Sequence, residues 1–381
     1  MKYYIIAGEA SGDLHGSNLI KELKKLDLSA NIRGWGGDLM QQAGATLVKH
    51  YRDLAFMGFV EVVANLRTIL QNLRFCKEDI LRFKPDALIL IDYPGFNLRI
   101  AKWAKEQKMF TKDGAKVIYY ISPQVWAWKE NRVKEMKKNI DKMIVIIPFE
   151  KDYYKNKWDW DVEYVGHPLV EVITNQKIEG RRPKSDLQAV ISDKPIVALL
   201  PGSRKQEIAK KLPIMLEVSK YFPDYQFVVG EAPSVADEFY KNFTKSYSNV
   251  TAVKNQTYDL LGQAKAALVT SGTATLETAL FGVPEVVCYK GSPISYQIAK
   301  RIIKVKYISM VNLILDKLAV KELIQNDLTV GNLQRELHEI LVNEERIKAI
   351  KDDYAELKRI LGEGGNAAAK AAKSIVDLLS E

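Results

Sequence analysis

Residues 3–16 read YYIIAGEASGDLHG. The run Tyr3 to Ala7 is too short for a stable helix and apolar at every position. That pattern suits a strand covered on both faces, as in a parallel sheet. Gly8-Glu9-Ala10-Ser11-Gly12 then turns the chain into a helix. Small residues at such a strand-to-helix turn let backbone N–H groups approach an anion at the helix N-terminus. The spacing is neither the dinucleotide GxGxxG nor a phosphate loop ending in GK[ST]. Glu9, Ser11, Asp13 and His15 crowd polar groups at the carboxyl end of the strand, where α/β sheets bind ligands. Two readings stay open here. Asp13 either caps its helix or belongs to a site, and His15 is either a satisfied helix histidine or part of that site.

The same pattern recurs along the chain. Further apolar runs lie at Ala87 to Ile91, Val117 to Ile121 and Met143 to Ile147, then at Ile196 to Leu200, Gln226 to Val229, Ala266 to Val269 and Glu285 to Tyr289. Amphipathic stretches separate them, so each half supplies one doubly wound parallel sheet. Between the halves, residues 170–194 are polar, with Gly180-Arg181-Arg182-Pro183-Lys184 and a second proline, Pro195, just beyond. This stretch reads as linker and surface. The expected division is residues 1–170, residues 171–345 and a helical tail over 346–381. The tail is broken at Gly362-Glu363-Gly364-Gly365.

The 381 residues are 47% hydrophobic and 27% charged, ordinary for a globular chain long enough to bury large cores. The only cysteines, Cys76 and Cys288, are far apart, which argues against a disulfide framework or a zinc site and fits a reducing compartment. The N-terminus does not read as a signal peptide, because its apolar run is short and Glu9 follows at once. No uncharged apolar run approaches the roughly 20 residues of a spanning helix. The net charge of +9 favours phosphate-bearing partners or an anionic surface. It fits a merely solvated basic face equally well.

Several motifs sit at strand ends. Ile91-Asp92-Tyr93-Pro94-Gly95 delivers a carboxylate where a buried strand leaves its sheet, a natural place for a general base; the alternative is a loop-capping aspartate. Trp126 and Trp128, beside Ser122 and Gln124, form either a sugar- or acyl-facing wall or a plug at the sheet edge. Leu200-Pro201-Gly202-Ser203-Arg204 brings backbone close to a ligand and adds a guanidinium fork suited to diphosphate; pairing of Arg204 with an Asp or Glu is the alternative. Ser271, Gly272 and Thr273 open a helix whose N–H groups suit the same diphosphate, with Glu277 one turn on to accept from ribose; helix capping explains the pair as well. Gly34-Trp35-Gly36-Gly37 is either a close-approach loop or an ordinary one. Leu54, Phe56, Met57, Phe59 and Val60, flanked by Arg52, Arg67 and Arg74, suit a loop that dips into a membrane surface, while the face of the helix that follows, with Val63, Leu66, Leu70 and Leu73, reads as core. Asp159-Trp160-Asp161 matches a metal-binding DxD in letters only, since no long buried strand precedes it. No metal and no cofactor are expected. The leaving diphosphate then depends on Arg204 and helix N-termini.

Together GEASGDLHG, GWGGDLM, FMGFVEV, IDYPGFN, SPQVWAWK, PFEKDYY, YVGHPL, LPGSR, SGTATLE and VNLI stand in the order found in lipid-A-disaccharide synthases. The chain resembles that family over nearly its whole length. The resemblance implies a GT-B fold, two Rossmann-like domains facing a cleft. It implies inverting transfer of 2,3-diacylglucosamine from UDP to the 6-hydroxyl of 2,3-diacylglucosamine 1-phosphate (lipid X). By the same resemblance, Arg204, Ser271, Gly272, Thr273 and Glu277 hold UDP, with Asn312 and Gln325 near the nucleotide. Glu9, Ser11 and Asp92 line the acceptor side. Many members carry a second aspartate, D-x-P-D-F-N, where this chain has Gly95. Asp92 is therefore the expected base, with Asp13 or Glu9 in reserve. The resemblance also implies work at the cytoplasmic face of the inner membrane and a possible homodimer. The C-terminal helices then cross back to the first domain or exchange between subunits.

Two rivals remain. One is another enzyme on the same scaffold, such as a UDP-sugar 2-epimerase. The other is a non-catalytic nucleotide- or nucleic-acid-binding protein, which would interleave Lys and Arg with aromatics on one face. The motifs instead put Gly, Ser, Glu and Asp at strand ends, so no nucleic-acid partner is expected.

Overall fold

Short runs that are apolar on both sides become strands once helices cover each face, and in this chain that happens twice. A computed structural model describes residues 1–54, 66–111, 114–179, 193–233, 235–292, 296–297, 301, 305–363 and 365–381. The first sheet has seven strands: β1 (Lys2–Ala7), β2 (Asn31–Gly36), β3 (Thr46–His50), β4 (Ala87–Ile91), β5 (Lys116–Tyr120), β6 (Lys142–Val145) and β7 (Glu163–Tyr164). Their order is β3-β2-β1-β4-β5-β6-β7, and every pairing is parallel. The second sheet has six: β8 (Ile196–Leu200), β9 (Gln226–Glu231), β10 (Val250–Lys254), β11 (Ala264–Thr270), β12 (Glu285–Tyr289) and β13 (Lys321–Ile324). Their order is β10-β9-β8-β11-β12-β13, again all parallel.

Each sheet reverses its winding once, between β1 and β4 and between β8 and β11. Ligands of open α/β sheets bind outside the carboxyl ends of the strands at such a switch point. Register decides which residues emerge there. Ala7 pairs with Ile91, so Gly8-Glu9 and Asp92 leave the first sheet side by side. Leu200 pairs with Val269, so Pro201 and Thr270 leave the second at one level.

The chain forms two compact units. One holds Met1–Pro168 with Gly362–Glu381, the other Leu169–Leu361. The last helix, Ala367–Ser380, therefore belongs to the first unit and packs against the helix Ala10–Leu26. Ala367, Ala368, Ala371 and Ala372 are all buried. Small side chains at helical spacing let two helix backbones come close. In the core of the first unit, Arg33 forks onto Asp79 through Nε at 2.9 Å and Nη2 at 2.8 Å, and Tyr4 donates to the same carboxylate. These bonds keep the Asp79 carboxyl below its ordinary pKa despite burial.

Not every buried carboxyl is so provided for. Glu285, the first residue of β12, is wholly buried beside the Tyr354 hydroxyl and makes no ion pair among the described residues. Burial holds its pKa well above the ordinary value. A carboxyl raised on folding contributes stability that is full below its unfolded pKa and lost as pH climbs toward the folded one. Glu285→Gln should therefore flatten the fall in Tm between pH 5 and pH 8, measured by calorimetry. An unchanged slope would show that Glu285 is already compensated.

Candidate functional site

The exit of β4 is a strained turn. Asp92 has φ 42° and Tyr93 φ 50°, left-handed values uncommon for residues with a side chain. Three contacts hold them there. The Asn97 side-chain amide donates to the carbonyls of Asp92 at 2.8 Å, Ile91 at 3.2 Å and Ile6 at 3.4 Å. The Tyr119 hydroxyl donates to the Asp92 carbonyl at 2.5 Å. The Tyr93 ring lies over Gly8 so closely that a Cβ there would come within 2.3 Å of it. Gly8 is thus required by close approach. Strain held in this way is concentrated at functional sites. The neighbouring strand β5 ends likewise, with Ile121 at φ 68°.

This turn brings Asp92 and Glu9 together. Burial, with the Glu9 charge adding to it and the Tyr93 backbone N–H partly offsetting both, pushes the Asp92 carboxyl up to about 6. A third carboxyl stands behind them. Glu150 is wholly buried, and burial lifts it to about 8. It accepts from Trp126 Nε1 at 3.0 Å and from the Ile147 N–H at 3.3 Å. Trp126 also packs edge-on against Phe149, with ring centroids 4.9 Å apart. The two tryptophans therefore part ways. Trp126 is fixed half-buried on Glu150, while Trp128 is 47% exposed with the Lys129 ammonium 4.1 Å from its ring.

Asp13 has a different occupation. It is buried and accepts from the backbone N–H groups of Gly37 at 2.8 Å, Met40 at 3.0 Å and Leu39 at 3.1 Å. It caps the helix Asp38–Gln42 rather than its own. With its lone pairs so engaged it anchors the GWGG loop, and Asp92 is the freer carboxylate. Ser11 is exposed in the first turn of the helix Ala10–Leu26, for which Glu9 is the N-cap. Burial lowers His15 to about 4 and, together with the His15 charge, His167 to about 3. Asp161 pairs with Lys155 at 2.9 Å, and the intervening Trp160 is buried in the core. Met57 and the loop around it lie outside the described residues.

In the second unit two loops meet at the switch point. Gly202, at φ 122°, precedes Arg204, which is exposed with Nη1 3.6 Å from Glu207 Oε1. Gly272, at φ 136°, leads into the helix Thr273–Phe281, and a Cβ at Gly272 would meet nothing within 4 Å. Ser271 is half-buried, while Gly272 and Thr273 are exposed. Glu277 accepts from the Tyr258 hydroxyl at 2.7 Å, and burial raises its pKa. Asn312 lies on the β12–β13 side with its amide committed to protein. It donates to the Val320 carbonyl at 2.8 Å and Glu322 Oε1 at 2.9 Å, and accepts from the Val320 N–H at 2.9 Å. It braces the helix Met310–Leu315. Gln325, at φ 54°, accepts from the Gly291 N–H at 3.1 Å, and its buried Nε2 has no partner among the described residues.

Reading the motifs missed two groups. One is Glu150, signalled only by its place three residues into a helix as a capping-box glutamate. The other is Lys211, a buried lysine in helical register with Ile208, Leu212 and Met215. A cation on the apolar face of a helix is the signal that would have found it.

A family model described as lipid-A-disaccharide synthetase matches residues 3–376. A lipid-A-disaccharide synthase from Syntrophus aciditrophicus is 39% identical, over 99% of this chain and 97% of its own. One from Geobacter metallireducens is 37% identical over the same shares. Among solved structures, the UDP-GlcNAc 2-epimerase of Neisseria meningitidis aligns over 100% of both chains with a TM-score of 0.66 at 13% identity. The calicheamicin glycosyltransferase CalG4 covers 100% of this chain and 98% of its own with a TM-score of 0.61 at 15% identity. These structures establish the shared GT-B fold, two Rossmann-like units, whereas the sequence relatives reach further. By both its family match and its relatives, the chain belongs to the lipid-A-disaccharide synthetase family.

Proposed function

We propose that this chain transfers 2,3-diacylglucosamine from its UDP derivative to the 6-hydroxyl of 2,3-diacylglucosamine 1-phosphate, with inversion and release of UDP. Asp92 of the first unit accepts the proton of the attacking hydroxyl. The new bond forms between that oxygen and the anomeric carbon, while the bond from that carbon to the diphosphate breaks. The electron pair leaves with UDP. Charge thus grows on the diphosphate, for which the second unit offers Arg204 and the amides opening the helix Thr273–Phe281. Glu277 suits the ribose hydroxyls, Gln325 offers an amide with no partner among the described residues, and Ser11 and Trp126 flank the acceptor.

The observation that carries this reading is Asp92 itself. Its pKa of about 6 leaves it ionised near neutral pH yet more basic than an ordinary aspartate. A base is most effective when its pKa lies near the operating pH. Gly95 supplies no second carboxylate beside it. The acylated substrates call for a surface reaction, and we assign it to the cytoplasmic face of the membrane. No helix among the described residues is long and apolar enough to cross a bilayer.

The reading is tested by giving the purified chain both acylated sugars in mixed micelles and weighing the product. A disaccharide monophosphate with stoichiometric UDP is expected. A free epimerised sugar, or neither product, would reject the assignment.

Asp92→Asn should cut turnover about a hundredfold or more with UDP affinity nearly unchanged. Asparagine tolerates the left-handed backbone and carries no charge to bury, so the variant should melt above wild type at pH 7. Near-normal turnover would remove Asp92 from the role of base.

A further inference from the structure

Lys211 is 3% exposed, and nothing in the proposed transfer has used it. It lies on the helix Lys205–Ser219, which follows the Arg204 loop. Its Nζ donates to the Thr270 hydroxyl, its one hydrogen bond among the described residues. The same Nζ is 3.5 Å from the position of a Cβ built on Gly202. The ammonium therefore sits between the two loops of the second switch point, one leaving β8 and the other leaving β11.

A buried ammonium without a paired carboxylate is costly, and an apolar side chain of equal length would stabilise the fold at least as well. Among the described residues, Glu207 is the carboxylate exerting a field on it, and Glu207 also pairs with Arg204 at 3.6 Å. Lys210 adds a further positive charge from the same helix. Cys288, facing it from β12, is kept protonated by burial, with its thiol pushed up to about 12. The carboxylate nearest in effect to Lys211 is thus also engaged by Arg204. Burial accordingly weakens the lysine's hold on its proton, and Glu207 recovers part of it.

We propose that Lys211 is a positioning residue for the diphosphate: it orients the Thr270 hydroxyl and supplies, from within the protein, the positive charge that the two ligand loops share. It acts through Thr270 and through its field, since a buried ammonium does not touch the ligand. Because the side chain is held by one hydroxyl, its charge is already in place when the anion arrives, which is how a fixed cation favours a charged leaving group. The inference rests on reading this unit as the UDP site.

The test is calorimetric binding of UDP, UMP and uridine to the full chain, wild type against Lys211→Met and Thr270→Val. Lys211→Met should weaken UDP binding about tenfold or more. UMP should suffer less, and uridine binding should stay within about twofold. Thr270→Val should shift the three ligands in the same order, which keeps the proposal testable if Lys211→Met fails to fold. Equal losses for UDP and uridine would reduce Lys211 to a structural part and overturn the inference. UDP binding in Lys211→Met equal to wild type would also overturn it while leaving the UDP reading intact. A wild-type chain that binds uridine and UDP equally weakly would reject the UDP reading itself.

Discussion

The side-chain amide of Asn97 ties together the ends of the two central strands of the first sheet. It reaches the carbonyls of Ile6, Ile91 and Asp92 from inside the helix Pro94–Lys105. Two successive left-handed residues at Asp92 and Tyr93 cost about 1–3 kcal/mol each, and the clamp is what lets them persist. The turn in its turn swings the Tyr93 ring over Gly8 and sets the Asp92 carboxyl among other carboxyls. Its raised pKa follows from that placement. A relaxed loop would expose the carboxyl to water and return it to an ordinary acid.

The two units use one topological device with opposite electrostatics. At the first switch point Glu9, Asp92 and Glu150 gather, and each disfavours the charge of the next. A group in such company takes up a proton readily. At the second, Arg204 and the buried Lys211 bring two positive charges to the loops leaving β8 and β11, with Glu207 acting on both. Proton acceptance and diphosphate departure are the two demands of a glycosyl transfer, and under the proposed function each falls to the end whose charge suits it. Both ends carry a cost in stability: strain and repulsion at one, an undercompensated buried ammonium at the other. Sites kept in this state are characteristic of function rather than of folding.

Much of this was legible in the sequence, because buried parallel strands are written as short continuous apolar runs. Tyr3 to Ala7, Ala87 to Ile91 and Ile196 to Leu200 each begin a βα step, and the residues after them emerge where ligands bind. Short or less continuously apolar strands were harder to see. Thr46–His50, reading TLVKH at a sheet edge, has only two apolar residues, and Glu163–Tyr164 has only two residues. Side-chain duties were less legible still. Asp13 caps a helix 25 residues further along the chain, a long-range bond that local spacing does not encode. Asn312 makes three side-chain bonds inside the protein that its motif gave no sign of. Glu150 and Lys211 sit within ordinary helix sequence, and only their burial reveals them.

The central claim is that the clamped turn keeps Asp92 as a carboxylate with a pKa near 6. The direct measurement is a 13C NMR titration of protein labelled at aspartate carboxyl carbons, with the Asp92 signal assigned from its loss in the asparagine variant. The account predicts a midpoint near pH 6. A midpoint at the ordinary aspartate value, about 4, would contradict it, since a solvated Asp92 carboxyl would be less suited to take a proton from a sugar hydroxyl.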